Sequence, residues 1–297
     1  MTFSLIIPVY NGKDILVKCL GRLFDQTYDR SEYEIIVIDD GSADGTDRSF
    51  KSMAENAPCE VRYFQQDHKG PAAARNLGIT NAKGELILLL GADMMAARTL
   101  LEEHVSWHKK YAEGNVAVLG HIAWPPDMKV TPFLEWLEQG PQFGYPKIKD
   151  FEDVPYDFFY SSNISLKKRF LLENGLFDED FPYAAFEDVE LGYRLQKKGL
   201  RIVYNDKAMA YHEHRIDKKS FGKRSFLAGR SLRIFHQKHP ECVPPGCSGA
   251  LCLLKAVFGI FIWSVPQGIA GAVPKKLLYK GYNCMLEYFM RKGYYSV

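Results

Sequence analysis

The chain has 297 residues, 46% hydrophobic and 25% charged, which is enough apolar material for a sizeable core and excludes a disordered or fibrous class. Its net charge of +2 provides no global field for nucleic acid, so no nucleic-acid partner is expected. Six cysteines form no CxxC pair, and Met1 to Pro8 enters a strand with no basic leader, pointing to a reducing compartment and no signal peptide.

Phe3 to Pro8 is an apolar strand that closes in Pro8-Val9-Tyr10-Asn11-Gly12. Asp14 to Gln26 sets Ile15, Cys19, Leu20 and Leu23 on one side of a helix. Tyr33 to Ile38 is a second strand, stopped by Asp39-Asp40-Gly41-Ser42, and Ser42 or Asp44 can cap the helix from Thr46 to Ala54. Val61 to Gln65 is a third strand, and Pro71 sits in the first turn of a helix over Gly70 to Thr80. Leu86 to Leu90 is apolar without alternation, the pattern of a strand buried on both faces, and it runs out into Gly91 and the lone acid Asp93.

Strands alternating with helices across short connections predict a parallel sheet with helices on both faces. Parallel strands deliver Tyr10-Asn11, Asp39-Asp40 and Asp93 to one edge, where open α/β sheets bind ligands. No GxGxxG or GxxxxGK(S/T) is present, so neither dinucleotide nor P-loop phosphate binding is supported. At that edge Asp93 reads either as a metal ligand or as the cap of a helix over Ala96 to Tyr111.

Four ordered stretches then carry a resemblance: Ser4-Leu5-Ile6-Ile7-Pro8-Val9-Tyr10-Asn11; Ile36-Val37-Ile38-Asp39-Asp40-Gly41-Ser42; Gly70 with Ala74-Arg75-Asn76 and Gly78; and Glu187-Asp188-Val189-Glu190-Leu191-Gly192-Tyr193-Arg194-Leu195, followed by Gly199 and Tyr211-His212. Residues 3 to 215 resemble the inverting glycosyltransferases of family 2. The resemblance implies a GT-A fold, a Rossmann-like and mostly parallel sheet with helices on both faces. Its nucleotide-sugar half would be residues 1–120 and its acceptor half 121–215, with 216–297 a C-terminal helical, apolar appendage. It implies that Pro8, Val9, Tyr10, Asn11, Asp40, Arg75, Ala92 and Asp93 hold a nucleotide-sugar donor, a UDP-sugar foremost. Asp93 and His212 would bind Mn²⁺ or Mg²⁺, Asp188 would be the catalytic base, and Asn163 and Glu187 would lie on the acceptor side. The family commonly has Asp-x-Asp where this chain has Gly91-Ala92-Asp93, so one acid is missing.

Without the resemblance these residues have plain alternatives. Glu187 and Asp188 begin a helix, where the macrodipole alone favours acids. His212-Glu213-His214 also reads as a solvated surface, and Arg75 as a partner for surface acids. The aromatics from Trp124 to Tyr160 read as core or lid packing or as an acceptor groove. A GT-A module that has lost catalysis and only binds nucleotide or glycan is the competing reading, motivated by Gly91.

Arg215 to His239 is basic and helical in pattern. His236, His239, Cys242, Cys247 and Cys252 are too irregularly spaced, around Pro240, Pro244 and Pro245, for a zinc site. From Leu251 to Val273 the one charge is Lys255. That stretch is long enough to span a bilayer, though Pro266 and three glycines also suit a segment lying in the interface or a buried hairpin. Basic clusters on either side suggest work at the cytoplasmic face of a membrane, on a glycan or lipid-linked acceptor.

Overall fold

The computed structural model describes residues 2–213, 216–243 and 249–296. In chain order come β1 (Phe3–Val9), α1 (Lys13–Phe24), β2 (Tyr33–Asp39), α2 (Thr46–Ala54), β3 (Glu60–Gln65), α3 (Pro71–Asn81) and β4 (Leu86–Leu90). They are followed by β5 (Met94–Ala96), α4 (Leu100–Lys110), β6 (Val116–Ala123), α5 (Pro132–Gln139), β7 (Asn163–Lys167), α6 (Lys168–Asn174), α7 (Glu187–Gln196) and β8 (Arg201–His212). Four helices close the chain: α8 (Lys218–Lys238), α9 (Gly249–Trp263), α10 (Gln267–Ala270) and α11 (Lys275–Tyr294). Chain contacts define two compact units, Met1–Pro125 with Lys147–His214, and Pro126–Pro146 with Arg215–Val297.

The first unit holds one eight-stranded sheet in the order β3-β2-β1-β4-β7-β6-β8-β5. β1 pairs parallel with β2 and β4, β2 with β3, and β6 with β8. β7 runs antiparallel to both its neighbours, and β5 to β8. The order of the first four strands places the carboxyl ends of β1, β2 and β4 side by side, as the alternating pattern predicts. Every residue of β2 and β4 is buried, which explains why their sequences show no polar period. Of the two acids in β2, Glu34 is satisfied inside the strand by Ser4 Oγ at 2.5 Å, Arg62 Nη1 at 3.0 Å and the Lys83 amide at 2.6 Å, and Asp39 at the strand's end accepts from the Ser42 amide at 2.7 Å.

Two elements differ from expectation. Ala96 ends a strand, Met94–Ala96, rather than starting the helix expected over Ala96 to Tyr111, because Met94 pairs with His212 and Ala96 with Ala210; the helix begins at Leu100. Pairing overrides the helical propensity of Ala96. The sequence also predicts a strand over Arg201 to Tyr204 and a loop through Ala208, but β8 continues to His212: Gly120 pairs with Asn205 and His121 with Met209, so residues 206–208 bulge out of β8 without ending it.

Between α4 and β7 lies a buried polar chain whose donors and acceptors follow from the partners of Asn163. Asn163 donates its amide to the Ala208 and His121 carbonyls, so its Oδ1 accepts from His104 Nε2 at 3.0 Å. His104 Nδ1 then accepts from Ser165 Oγ, and Ser165 Oγ accepts from His108 Nε2, both at 2.8 Å. Burial holds both imidazoles neutral, lowering His104 to about 4 and His108 to about 3. Ser165→Ala leaves a buried donor and a buried acceptor unpaired, so urea denaturation should show a loss of about 2 kcal/mol or more; an unchanged midpoint would contradict the chain.

The second unit has its own aromatic core. Phe133 and Trp136 of α5 meet Phe221 of α8 and Tyr282 of α11, and Phe133 also meets Trp263 of α9, largely edge to face. Trp136 donates Nε1–H to Asn283 at 2.9 Å. These rings are therefore packing elements and not a sugar platform. α8 starts in a capping box between Asp217 and Ser220. A Cβ on Gly229 would lie 2.0 Å from the Met290 carbonyl oxygen, and one on Gly293 1.8 Å from that of Phe226, so only glycine permits this helix crossing.

The spanning form of the Leu251–Val273 expectation is corrected. α9 ends at Trp263, Pro266 follows, and α10 is separate; no helix among the described residues is long and apolar enough to cross a membrane. Of the loose Cys/His set, Cys247 lies outside the described residues, as does His214.

Candidate active site

β1 ends in Tyr10, which is half exposed, and Asn11, which takes a left-handed φ of 47° that asparagine tolerates better than most residues. Asn11 is locked to the end of β2: its amide donates to Ser42 Oγ at 2.8 Å and its Oδ1 accepts from the Ala43 amide at 2.9 Å. Asp40 then ties β2 to the loop after β3. Its carboxylate accepts from Gln66 Nε2 at 2.7 Å and from the amides of Lys69 and Gly70 at 2.8 and 2.9 Å, with His68 Nδ1 at 2.9 Å. The His68 ring stacks on Tyr10 with centroids 4.0 Å apart. In the chain by itself Asp40 thus organises the loop, and Gln66 and His68 join the edge unforeseen. Their signal was topological: β3 is parallel to β2, so its following loop must end at the same edge.

β4 exits into a turn in which the Met94 amide donates to the Gly91 carbonyl at 3.1 Å. This turn carries Ala92 and Asp93. Asp93 Oδ2 lies 3.0 Å from Nε2 of His212, the last residue of β8. Antiparallel pairing of Met94 with His212 is what brings the two together across 119 positions of sequence. His212 is buried against the Trp124 ring, with centroids 5.6 Å apart. A Cβ on Gly91 would stand 2.7 Å from Asp93 Oδ1, so the glycine that replaces the family's first acid also gives the second acid its room.

This pair fits a divalent cation. Donors at about 2.1 Å from an octahedral ion, at right angles, lie about 3.0 Å apart. Carboxylate oxygen and imidazole nitrogen suit Mn²⁺, and the oxygen suits Mg²⁺. Among the described residues no group of three or more His, Cys, Asp or Glu gathers to hold an ion. Two protein donors match the way such ions sit on enzymes that also offer them phosphate oxygens.

The third cluster lies at the start of α7. Phe186, its N-cap, takes a left-handed φ of 67°, a rare conformation for a bulky residue. After that turn Glu187 points inward and Asp188 is partly exposed. Asp188 Oδ2 accepts from the Ser161 amide and hydroxyl, each at 3.3 Å, while Oδ1 accepts from the Val189 amide at 2.9 Å. Glu187 Oε1 accepts from Arg75 Nη1 at 2.8 Å, both side chains being buried, and Phe177 lies under the guanidinium with its ring centroid 5.2 Å away. Burial, then the neighbouring Asp188 charge, push Glu187 up to about 7 against the pull of Arg75.

Three expectations need correcting on this geometry. Arg75 is not a free fork for a diphosphate: its guanidinium is buried against Glu187 and Phe177. Asn163 is fully buried in β7 and both ends of its amide are used within the polar chain described above, so it offers nothing to an acceptor. Glu187 likewise faces Arg75 rather than solvent.

The profile described as "Glycosyl transferase family 2" matches residues 4–186. The chain belongs to glycosyltransferase family 2. This family 2 enzyme is 29% identical over 267 residues to the uncharacterized glycosyltransferase YfnE of Bacillus subtilis, covering 74% of the chain and 67% of that protein. It is 29% identical to the chondroitin synthase of Escherichia coli over 80% of the chain, and 28% identical to the hyaluronan synthase of Pasteurella multocida over 80%. It spans only 38% and 27% of the length of those two synthases. Among solved structures, the mannosyltransferase PcManGT of Pyrobaculum calidifontis, in complex with GDP-Man and Mn²⁺, superposes with a TM-score of 0.66 at 19% identity, covering 97% of this chain and 84% of that one. TarS 1–349 of S. aureus in complex with UDP-GlcNAc does so at 0.57 and 18%, covering 98% and 90%. The fold is GT-A.

Proposed function

We propose that this glycosyltransferase moves a sugar, with inversion, from a nucleoside-diphosphate sugar to a hydroxyl of a glycan or lipid-linked acceptor. The observation that carries the reading is the Asp93–His212 pair at the edge where β1, β2 and β4 end. A UDP-sugar is the donor we favour, in line with the UDP-GlcNAc complex of TarS, and the chondroitin and hyaluronan synthases make a glycan acceptor apt. We place the work at the cytoplasmic face of a membrane, because nucleotide sugars are cytosolic and the C-terminal unit is rich in lysine and arginine.

Tyr10 and Asn11 present a ring and a polar turn to the donor's nucleoside. Asp93 and His212 would hold Mn²⁺ or Mg²⁺, and the bound ion supplies Lewis acidity to the leaving diphosphate. Asp188 takes the proton from the acceptor hydroxyl at its partly exposed carboxylate as that oxygen attacks, and the Ser161 amide and hydroxyl hold it in place. Attack opposite the departing diphosphate inverts the anomeric carbon.

Calorimetry with UDP tests the ion site. Mn²⁺ should tighten UDP binding, and Asp93→Ala or EDTA should remove that gain, a loss of at least about tenfold. Gly91→Ala should weaken it too, by displacing the Asp93 carboxylate. Metal-enhanced binding that survives Asp93→Ala would sink the assignment.

A further inference from the structure

We propose that the second unit docks on an anionic lipid surface through the outward face of α9 and the uncharged turn that follows it. The proposal deepens the membrane placement above by naming the surface and the lipid chemistry, and it does not involve the donor site.

Three observations carry it. The first is exposure. α9 packs on α11 through one face: a Cβ on Gly259 would meet Cys284 and Met285 at 3.0–3.1 Å, and one on Gly281 would meet Ile262 at 2.3 Å. The opposite face leaves Val257 62% exposed, Ile260 53% and Phe261 71%. These positions have the i, i+3, i+4 spacing of a single helical stripe. Water-facing helices rarely present three large apolar side chains in such a stripe, and contiguous apolar patches mark interaction sites.

The second is that the stripe continues into a surface with no charge. Ala256 to Pro274 contains no ionisable side chain, and Pro266, Gly268, Gly271, Ala272 and Pro274 are exposed. Leu277, on the first turn of α11, is exposed as well. An uncharged, exposed turn beside an apolar stripe can enter the headgroup region without burying an ion.

The third is charge segregation, which identifies the occupant. Pro126–Pro146 with Arg215–Val297 contains fifteen Lys and Arg against six acids, a formal charge of +9, so the other unit carries −7 within the chain total of +2. No Asp or Glu occurs between Glu241 and Glu287. Lys276 and Lys280 are exposed on α11, and Lys280 Nζ lies 5.9 Å from the Phe258 ring of α9, so basic groups border the stripe. A second copy docking on this face would oppose two units of +9, whereas an anionic leaflet complements them. An acyl-chain boundary below and acidic headgroups around it match the apolar stripe and its basic border.

Vesicle co-sedimentation of the purified full chain tests this. Wild type should pellet with phosphatidylcholine vesicles containing about 30% phosphatidylglycerol and not with phosphatidylcholine alone, losing binding as salt rises. Phe261→Glu should weaken binding at least about tenfold, and Lys276→Glu/Lys280→Glu should reduce it while leaving the stripe intact. These side chains are exposed, so the melting temperature of each variant should match wild type. Transfer to a soluble acceptor should also be unchanged in Phe261→Glu, which separates failure of docking from failure of the glycosyltransfer reading. Three results would overturn the proposal: wild type that stays in the supernatant with anionic vesicles, binding indifferent to Phe261→Glu, or light scattering that shows a dimer dissociated by Phe261→Glu, which makes the face a self-interface.

Discussion

Asp188→Asn should lower kcat by about 10²- to 10⁴-fold, the span over which a positioned base contributes. Binding of the nucleoside diphosphate with Mn²⁺ should stay within about twofold of wild type, since the effect is confined to the chemical step. The physical reason is local. Asparagine keeps the shape of the side chain and one of the two oxygens through which Asp188 accepts from Ser161 and Val189, but an amide takes no proton from an attacking hydroxyl. Stopped-flow or steady-state release of nucleoside diphosphate reads the effect. A variant with wild-type kcat would remove Asp188 as base, and equal loss of binding and turnover would make it a structural residue.

The largest stability effect should come from the Arg75–Glu187 pair. Arg75→Met strands a buried carboxyl beside Asp188, at a cost of about 3 kcal/mol near neutral pH. The cost has a direction with pH. Folded Glu187 sits near 7, above the 4.5 of an exposed glutamate, because burial and Asp188 oppose its charge. The folded chain therefore keeps a proton that the unfolded chain releases, and this group's contribution is fully present below about 4.5 and falls as pH rises through about 7. Without the guanidinium the folded value lies higher, so the fall continues above 7 and the gap between variant and wild type widens from pH 5 to pH 8. Guanidinium melts at the two pH values measure it. Arg75→Met/Glu187→Leu should recover most of the loss, since a buried pair exchanged for apolar groups of similar volume is close to neutral. A gap independent of pH, or a double variant no better than Arg75→Met, would contradict the pairing.

The parts of this molecule that were legible in the sequence are those set by local pattern. β2 and β4 announce themselves because strands buried on both faces tolerate few polar side chains, and α2 was read with its observed bounds, Thr46–Ala54. β5 was hidden: three residues carry no period, and only pairing with β8 makes them a strand. Residues 205–208 look like a loop because β8 bulges there, not because it ends.

In the candidate site, the residue types of Asp93, His212 and Asp188 were visible as motif positions, but their surroundings were not. Arg75 and Glu187 are 112 positions apart and meet only because α3 and α7 both start near the same place in the fold. Asn163 misled because a buried amide and a surface one have the same letter; its partner His104 lies on another element. The orientation of α9 is of the same kind, since the apolar run shows no side until α11 covers one face of it.

The account is tested most directly by following the anomeric proton of the sugar by NMR while the enzyme acts on a panel of nucleotide sugars with Mn²⁺ and glycan acceptors. It predicts consumption of one nucleoside-diphosphate sugar, release of the nucleoside diphosphate, and a glycoside whose anomeric configuration is opposite to that of the donor. A glycoside of retained configuration, or nucleotide sugars that bind with Mn²⁺ at Asp93 and are never consumed, would contradict it.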